Sequence, residues 1–155
     1  MLFNPFNSKV GLALGGGAAK GIAHIGVLKA FEEKNIPIHC ISGTSIGALI
    51  GAYYAFGKTS TEIEELIPEL NYRKVMKFTL PRKGFITTDR IEEMILRDIG
   101  PMNIEEAKIP LAIMTTDIRT GEPVVLTRGP LTKAVCASVC VPGIFIPTEY
   151  RGRIL

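Results

Sequence analysis

Apolar positions set a repeating pattern along the first third of the chain. Residues 10–14 are a short apolar run closed by glycines, and residues 19–34 follow with Ile22, Ile25, Leu28 and Phe31 near helical spacing. This predicts a strand, a tight loop and a helix. Residues 36–41, with Pro37 near their start, predict a second strand. Residues 46–56 predict a second helix, whose Gly47, Ala48, Gly51 and Ala52 permit close packing. A strand-helix unit that repeats in this way favours an α/β fold on a parallel sheet. Right-handed crossovers then set the glycine loop and the turn at 43–47 side by side, at the carboxyl ends of neighbouring strands, where open α/β sheets build their sites.

The middle is more helical. Thr61 with Glu64, Asp89 with Glu92 and Asn103 with Glu106 have capping-box spacing, which gives these carboxylates structural work. Residues 108–117 predict a third core strand, and Thr120-Gly121-Glu122 turns the chain into residues 124–126 as an antiparallel hairpin. Pro130 suits the first turn of a helix running to Val139, and Pro142-Gly143 breaks it. Residues 145–155 read as an edge hairpin that stops in mid-pattern.

Composition narrows the class. The 155 residues are 46% hydrophobic and 21% charged, which fits one globular domain over 1–155. A chain of this size buries roughly 68 to 70% of its unfolded surface, so its core needs no staples. Lys and Arg total 18 against 15 Asp and Glu, and a net charge of +3 is too small and dispersed to make nucleic acid the main partner. Weak attraction to an anionic membrane surface stays open. Arg73, Lys74, Lys77, Arg82 and Lys83 form a basic segment, read as solvated surface in preference to a headgroup contact. The apolar or glycine stretch 46–57 is shorter than the roughly 20 residues of a spanning helix. Lys9 ahead of residues 10–14 leads into glycines and not a cleavage site, so a cytoplasmic chain is expected. Its three cysteines, Cys40, Cys136 and Cys140, would then stay reduced. No motif speaks to oligomeric state.

Two short motifs carry chemistry. Gly43-Thr44-Ser45-Ile46-Gly47 matches G-x-S-x-G between a predicted strand and a predicted helix, the setting of a nucleophile elbow. Gly43 and Gly47 would let the backbone turn tightly, so that Ser45 is presented at the sheet edge with a helix N-terminus aimed at developing charge. Gly15-Gly16-Gly17-Ala18-Ala19-Lys20-Gly21 joins the first strand to the first helix. A Walker loop needs Ser or Thr after the lysine, and a dinucleotide fingerprint needs glycine where Lys20 stands. A run of backbone N–H groups at a helix start remains, which suits an oxyanion. Alone, this loop would pass for a plain strand-to-helix turn; beside Ser45, it completes the donors and nucleophile of acyl transfer.

The missing part is a base. His24 and His39 both precede Ser45, whereas an α/β-hydrolase triad runs Ser, acid, His. Both read as packed or capping histidines. A lone carboxylate would have to serve, and an Asp of ordinary pKa about 3.9 can do so only if desolvation raises it.

These blocks resemble the bacterial patatin-like phospholipase family. Residues 12–28, LALGGGAAKGIAHIGVL, are similar to its oxyanion block, and 43–47 to its elbow. Ala137-Ser138-Val139-Cys140-Val141-Pro142-Gly143-Ile144-Phe145 is similar to its A-S-x-x-x-P-G-x-F block. The resemblance implies a three-layer α/β/α fold with a mostly parallel sheet. It also implies hydrolysis of lipid or other acyl esters by a Ser-Asp dyad, with no metal or other cofactor. It places the nucleophile at Ser45, the oxyanion hole at Gly15, Gly16, Gly17 and Ala18, and supporting roles at Lys20 and Gly21. Ala18 stands where the family has a fourth glycine, and its N–H can donate provided its φ is negative. Lys20 stands where Arg is common. The family's Asp-Gly-Gly or Asp-Gly-Ala turn has no counterpart before Leu155, so the chain is expected to end short of its base and to be inactive alone. Asp117, at the end of a predicted strand, is the internal substitute, although backbone hydrogen bonds in its own turn suit it better. Cys136 and Cys140 share a helix face without further ligands at zinc spacing and read as core. An acyltransferase or thioesterase on a carrier-bound acyl group, and a non-catalytic regulatory module on the same scaffold, are the competing functions.

Overall fold

The computed structural model describes residues 9–66, 68 and 88–155. The basic segment at Arg73, Lys74, Lys77, Arg82 and Lys83 lies outside them. β1 (Gly11–Leu14), β2 (Cys40–Thr44), β3 (Leu111–Thr116) and β4 (Pro123–Leu126) form a sheet in that spatial order. β1 pairs parallel with β2, β2 parallel with β3, and β4 closes an antiparallel edge. Pro123 opens the edge strand, where a missing N–H costs no ladder bond. The helices α1 (Ala23–Glu33), α2 (Ile46–Ala55), α3 (Ser60–Glu65), α4 (Asp89–Asp98) and α5 (Leu131–Val139) flank this mostly parallel sheet, as the alternating pattern predicts. Leu14, Ile41 and Ile113 of the sheet share one core with Leu49, Ile50 and Tyr53 of α2 and with Leu131 and Val135 of α5. Each fully buried side chain of that size stabilises the fold by about 1.5–3 kcal/mol. Among the described residues, no helix is long and apolar enough to cross a membrane.

Several boundaries differ from the pattern. The second strand starts at Cys40 and not at Ile36, because four-residue β1 offers a partner only from Gly11 onward. His39 therefore sits just ahead of the strand. Its N–H donates to the Val10 carbonyl at 2.8 Å, and its Nδ1 accepts the Val10 N–H at 3.0 Å. The first helix begins as a 3-10 turn over Ala18–Ile22 before α1. The capping box at α3 is Thr59 with Glu62, two residues ahead of the expected Thr61 and Glu64, because the helix starts at Ser60. Ser60 is buried, with its hydroxyl on Glu32. Asp89 is the first residue of α4 and not its cap; with Glu92 it supplies negative charge to the first turn, which the helix dipole favours. The Asn103–Glu106 box is formed, with the Asn103 N–H donating to Glu106 Oε2 at 2.6 Å.

The final hairpin also departs from expectation. β5 (Glu149–Tyr150) and β6 (Arg153–Ile154) make a separate two-stranded sheet, not an edge of the main one. Their turn closes through Arg151 and Gly152 at φ 50° and 78°, the twist that two-residue hairpin loops need. Thr148 and Leu155 exchange both backbone hydrogen bonds at 2.9 Å, and Leu155 is buried. The Ile118 N–H donates to the Ile154 carbonyl at 3.0 Å and docks the hairpin against the turn after β3.

Candidate active site

Ser45 occupies the single residue between β2 and α2, at φ 54° and ψ −122°. A non-glycine residue held there carries strain of about 1–3 kcal/mol and persists only where its surroundings impose it. Two glycines make room for it here. A Cβ on Gly43 would fall 2.5 Å from Ala48 Cα, and one on Gly47 would fall 2.1 Å from the Leu14 carbonyl oxygen. Only hydrogen at both positions lets α2 start directly against β1 and β2. The Ser45 carbonyl accepts the Ala48 and Leu49 N–H groups at 2.9 and 3.1 Å, so α2 begins on the serine itself. Its side chain is partly exposed at the N-terminal, electropositive end of a ten-residue helix.

The glycine loop lies alongside. Gly15, Gly16, Gly17 and Ala18 are exposed, and a Cβ on Gly16 would stand 3.5 Å from that of Ser45. The Lys20 N–H donates to the Gly17 carbonyl at 3.0 Å, and the Lys20 side chain is exposed. Gly21 is buried where a Cβ would meet Ile46 Cγ2 at 2.3 Å, which seats the loop on α2. The condition set on Ala18 is not met: its φ is +49°, following Gly17 at +148°. The chain reverses direction here to enter the 3-10 turn, and alanine accepts the left-handed conformation at about 1–2 kcal/mol.

His24 has a part in this loop that its position alone did not reveal. Its Nε2 lies 2.8 Å from the Gly15 carbonyl. A carbonyl only accepts, so Nε2 carries the proton and the ring anchors the loop from α1. Ser138 was likewise only part of a resembling block. Its Oγ accepts the Ser45 N–H at 2.8 Å and donates to the Met114 carbonyl at 2.7 Å. Both roles are contacts between elements distant in sequence, for which spacing offers no signal.

Asp117 is buried just past β3, where its Oδ1 accepts the Arg119 N–H at 2.9 Å and its N–H donates to the Glu122 carbonyl at 3.0 Å. Its carboxylate thus has the turn-closing work that suited it in sequence. Cys136 is buried and Cys140 half-buried, with Cys140 Sγ donating to the Ile146 carbonyl at 3.2 Å. Burial pushes the Cys136 thiol up to about 11, far from a reactive thiolate. Among the described residues, no group of three or more His, Cys, Asp or Glu is placed to hold a metal ion. A groove of about 590 Å³ runs over the sheet, lined by Gly11, Ala13, Cys40, Ser42, Ala112 and Arg128 among others.

Residues 12–155 match the family model described as Patatin-like phospholipase. An uncharacterized NTE family protein of Mycobacterium tuberculosis is 36% identical over 150 residues, which are 95% of this chain and 41% of that protein. The Lysophospholipase nte1 of Aspergillus fumigatus is 34% identical over 154 residues, 94% of this chain and 10% of its own length. The crystal structure of VipD from Legionella pneumophila superposes with a TM-score of 0.76 at 16% identity, over 94% of this chain and 45% of VipD, a likeness of fold.

Proposed function

Because the chain belongs to the patatin-like phospholipase family, we propose that it carries the nucleophile and oxyanion machinery of a serine hydrolase for lipid acyl esters. The observation that carries this reading is the strained Ser45 between β2 and α2, with the glycine loop against it. In the proposed reaction, Ser45 Oγ attacks the ester carbonyl carbon and its proton passes to a carboxylate. The oxyanion is held by backbone N–H groups of Gly15, Gly16 and Gly17, and Ala18, at φ +49°, is left out of that set. Collapse expels the alcohol, and water then releases the acid from Ser45. Lys20 and Gly21 support the loop. No metal or other cofactor enters this scheme.

The base we assign to an aspartate in an Asp-Gly turn of the full-length protein. No Asp-Gly step occurs in these 155 residues, and the Asp117 carboxylate is engaged by the Arg119 N–H. The mycobacterial relative is more than twice as long as its matched segment, which gives such a turn room. The fungal relative is named a lysophospholipase, so lysophospholipid is the first substrate to assay, with a cytoplasmic enzyme meeting it at a membrane surface. The full-length protein is expected to release fatty acid, and to lose this on Asp→Asn in its Asp-Gly turn. A chain ending at Leu155 should keep no more than the 10³ to 10⁴-fold acceleration that binding and an oxyanion hole alone provide in serine proteases. Robust hydrolysis by that shorter chain would move the base to Asp117.

A further inference from the structure

We propose that Ser138 is the wedge that opens the nucleophile elbow, a positioning residue for Ser45. The inference rests on the reading of Ser45 as nucleophile, and its evidence is the ladder between β2 and β3. These strands are parallel, with Ile41 opposite Leu111 and Thr44 opposite Met114. The Ile41 N–H donates to the Pro110 carbonyl at 2.9 Å. In a parallel ladder, alternate residues repeat that bond, so steps of two along both strands bring the Ser45 N–H to the Met114 carbonyl. That rung is where the Ser138 hydroxyl sits. It accepts from the first group at 2.8 Å and donates to the second at 2.7 Å.

A rung replaced in this way satisfies both backbone groups and still holds them a hydroxyl's width apart. The strand therefore leaves the sheet at Ser45 without orphaning an amide, a cost that would otherwise oppose the bend. The hydroxyl comes from α5, which packs on β3 and α2 and so fixes the wedge from outside the elbow. Its donor and an acceptor lone pair are both used within the backbone, which leaves Ser138 no proton to exchange with substrate. The same bond withdraws the Ser45 amide from the oxyanion, so that charge falls to the glycine loop. Without the hydroxyl, the Ser45 N–H and the Met114 carbonyl are free to close into a direct rung. That closure would draw Ser45 toward extended backbone and swing Oγ off its line to the substrate.

The test uses the full-length protein and a fluorophosphonate probe, with the labelling rate at Ser45 measured per folded molecule. Misplacement of a nucleophile by about 1 Å costs on the order of 10²-fold. Ser138→Ala should therefore label roughly 10 to 100-fold slower, with kcat on lysophospholipid falling alike and KM unchanged, and Ser138→Thr should recover most of the rate. A purely structural serine would lower the melting temperature and leave the rate per folded molecule alone. Labelling of folded Ser138→Ala within about threefold of wild type would overturn the proposal; should that variant not fold, unslowed labelling of Ser138→Gly, which likewise has no group to bridge the rung, would do the same. A crystal structure of Ser138→Ala tests the wedge independently of the chemistry. Ser45 should leave the positive-φ region with its N–H on the Met114 carbonyl, and an unchanged Ser45 would refute the wedge. Failure of wild-type Ser45 to label would count against the nucleophile alone.

Discussion

Gly47 lies so close to the end of β1 that a Cβ on it would fall 2.1 Å from the Leu14 carbonyl oxygen. The second glycine of the elbow thus joins two strand-helix units, because the backbone that ends β1 also begins the glycine loop. Gly47→Ala is expected to destabilise by about 3 kcal/mol, the upper end of overpacking costs, since the obstacle is backbone and cannot rotate away. Gly15→Ala, whose Cβ would meet nothing within 4 Å, should stay within about 0.5 kcal/mol of wild type. Urea denaturation of the two variants measures the contrast.

The histidines anchor backbone, and they are expected to carry no reaction proton. His24 holds the Gly15 carbonyl, and exposed His39 accepts the Val10 N–H. Replacing each by Gln should leave hydrolysis by the full-length protein within about tenfold, because an amide can still bond to the same backbone. A drop near the 10⁴-fold of a lost triad member, measured in steady-state assays, would restore a histidine base.

Cys136 gives the alkaline limb of stability a sign. Burial raises its folded pKa to about 11, whereas an unfolded thiol ionises near 8.5. The neutral thiol's contribution is complete below about pH 8.5 and is lost as the pH rises toward 11, because only the unfolded chain then sheds the proton. Denaturation between pH 8 and 10 should show Cys136→Ala losing less stability with pH than wild type. At pH 8, iodoacetamide should modify exposed Cys40 well before Cys136.

The elbow was legible because glycine is demanded there by geometry: Gly43 and Gly47 flank a residue that leaves the sheet, and no other side chain fits the backbone contacts they make. The strand-helix alternation and the β3–β4 hairpin were legible from periodicity. The start of β2 was not, since it depends on where four-residue β1 can pair and not on how apolar residues 36–39 are. Ala18 conceals a positive φ that its side chain would argue against, imposed by the reversal after Gly17. Ser138 was hidden most deeply, since its bond spans 93 residues of sequence and replaces a ladder rung that exists only once β2 and β3 are paired.

The central claim is that Ser45 forms the covalent acyl intermediate, and it is tested most directly by mapping a fluorophosphonate adduct on the full-length protein by mass spectrometry. The adduct is expected on the peptide containing Ser45. It should disappear in Ser45→Ala together with lysophospholipid hydrolysis. An adduct on another residue, or a Ser45→Ala variant that keeps about a tenth or more of the wild-type rate, would contradict the account.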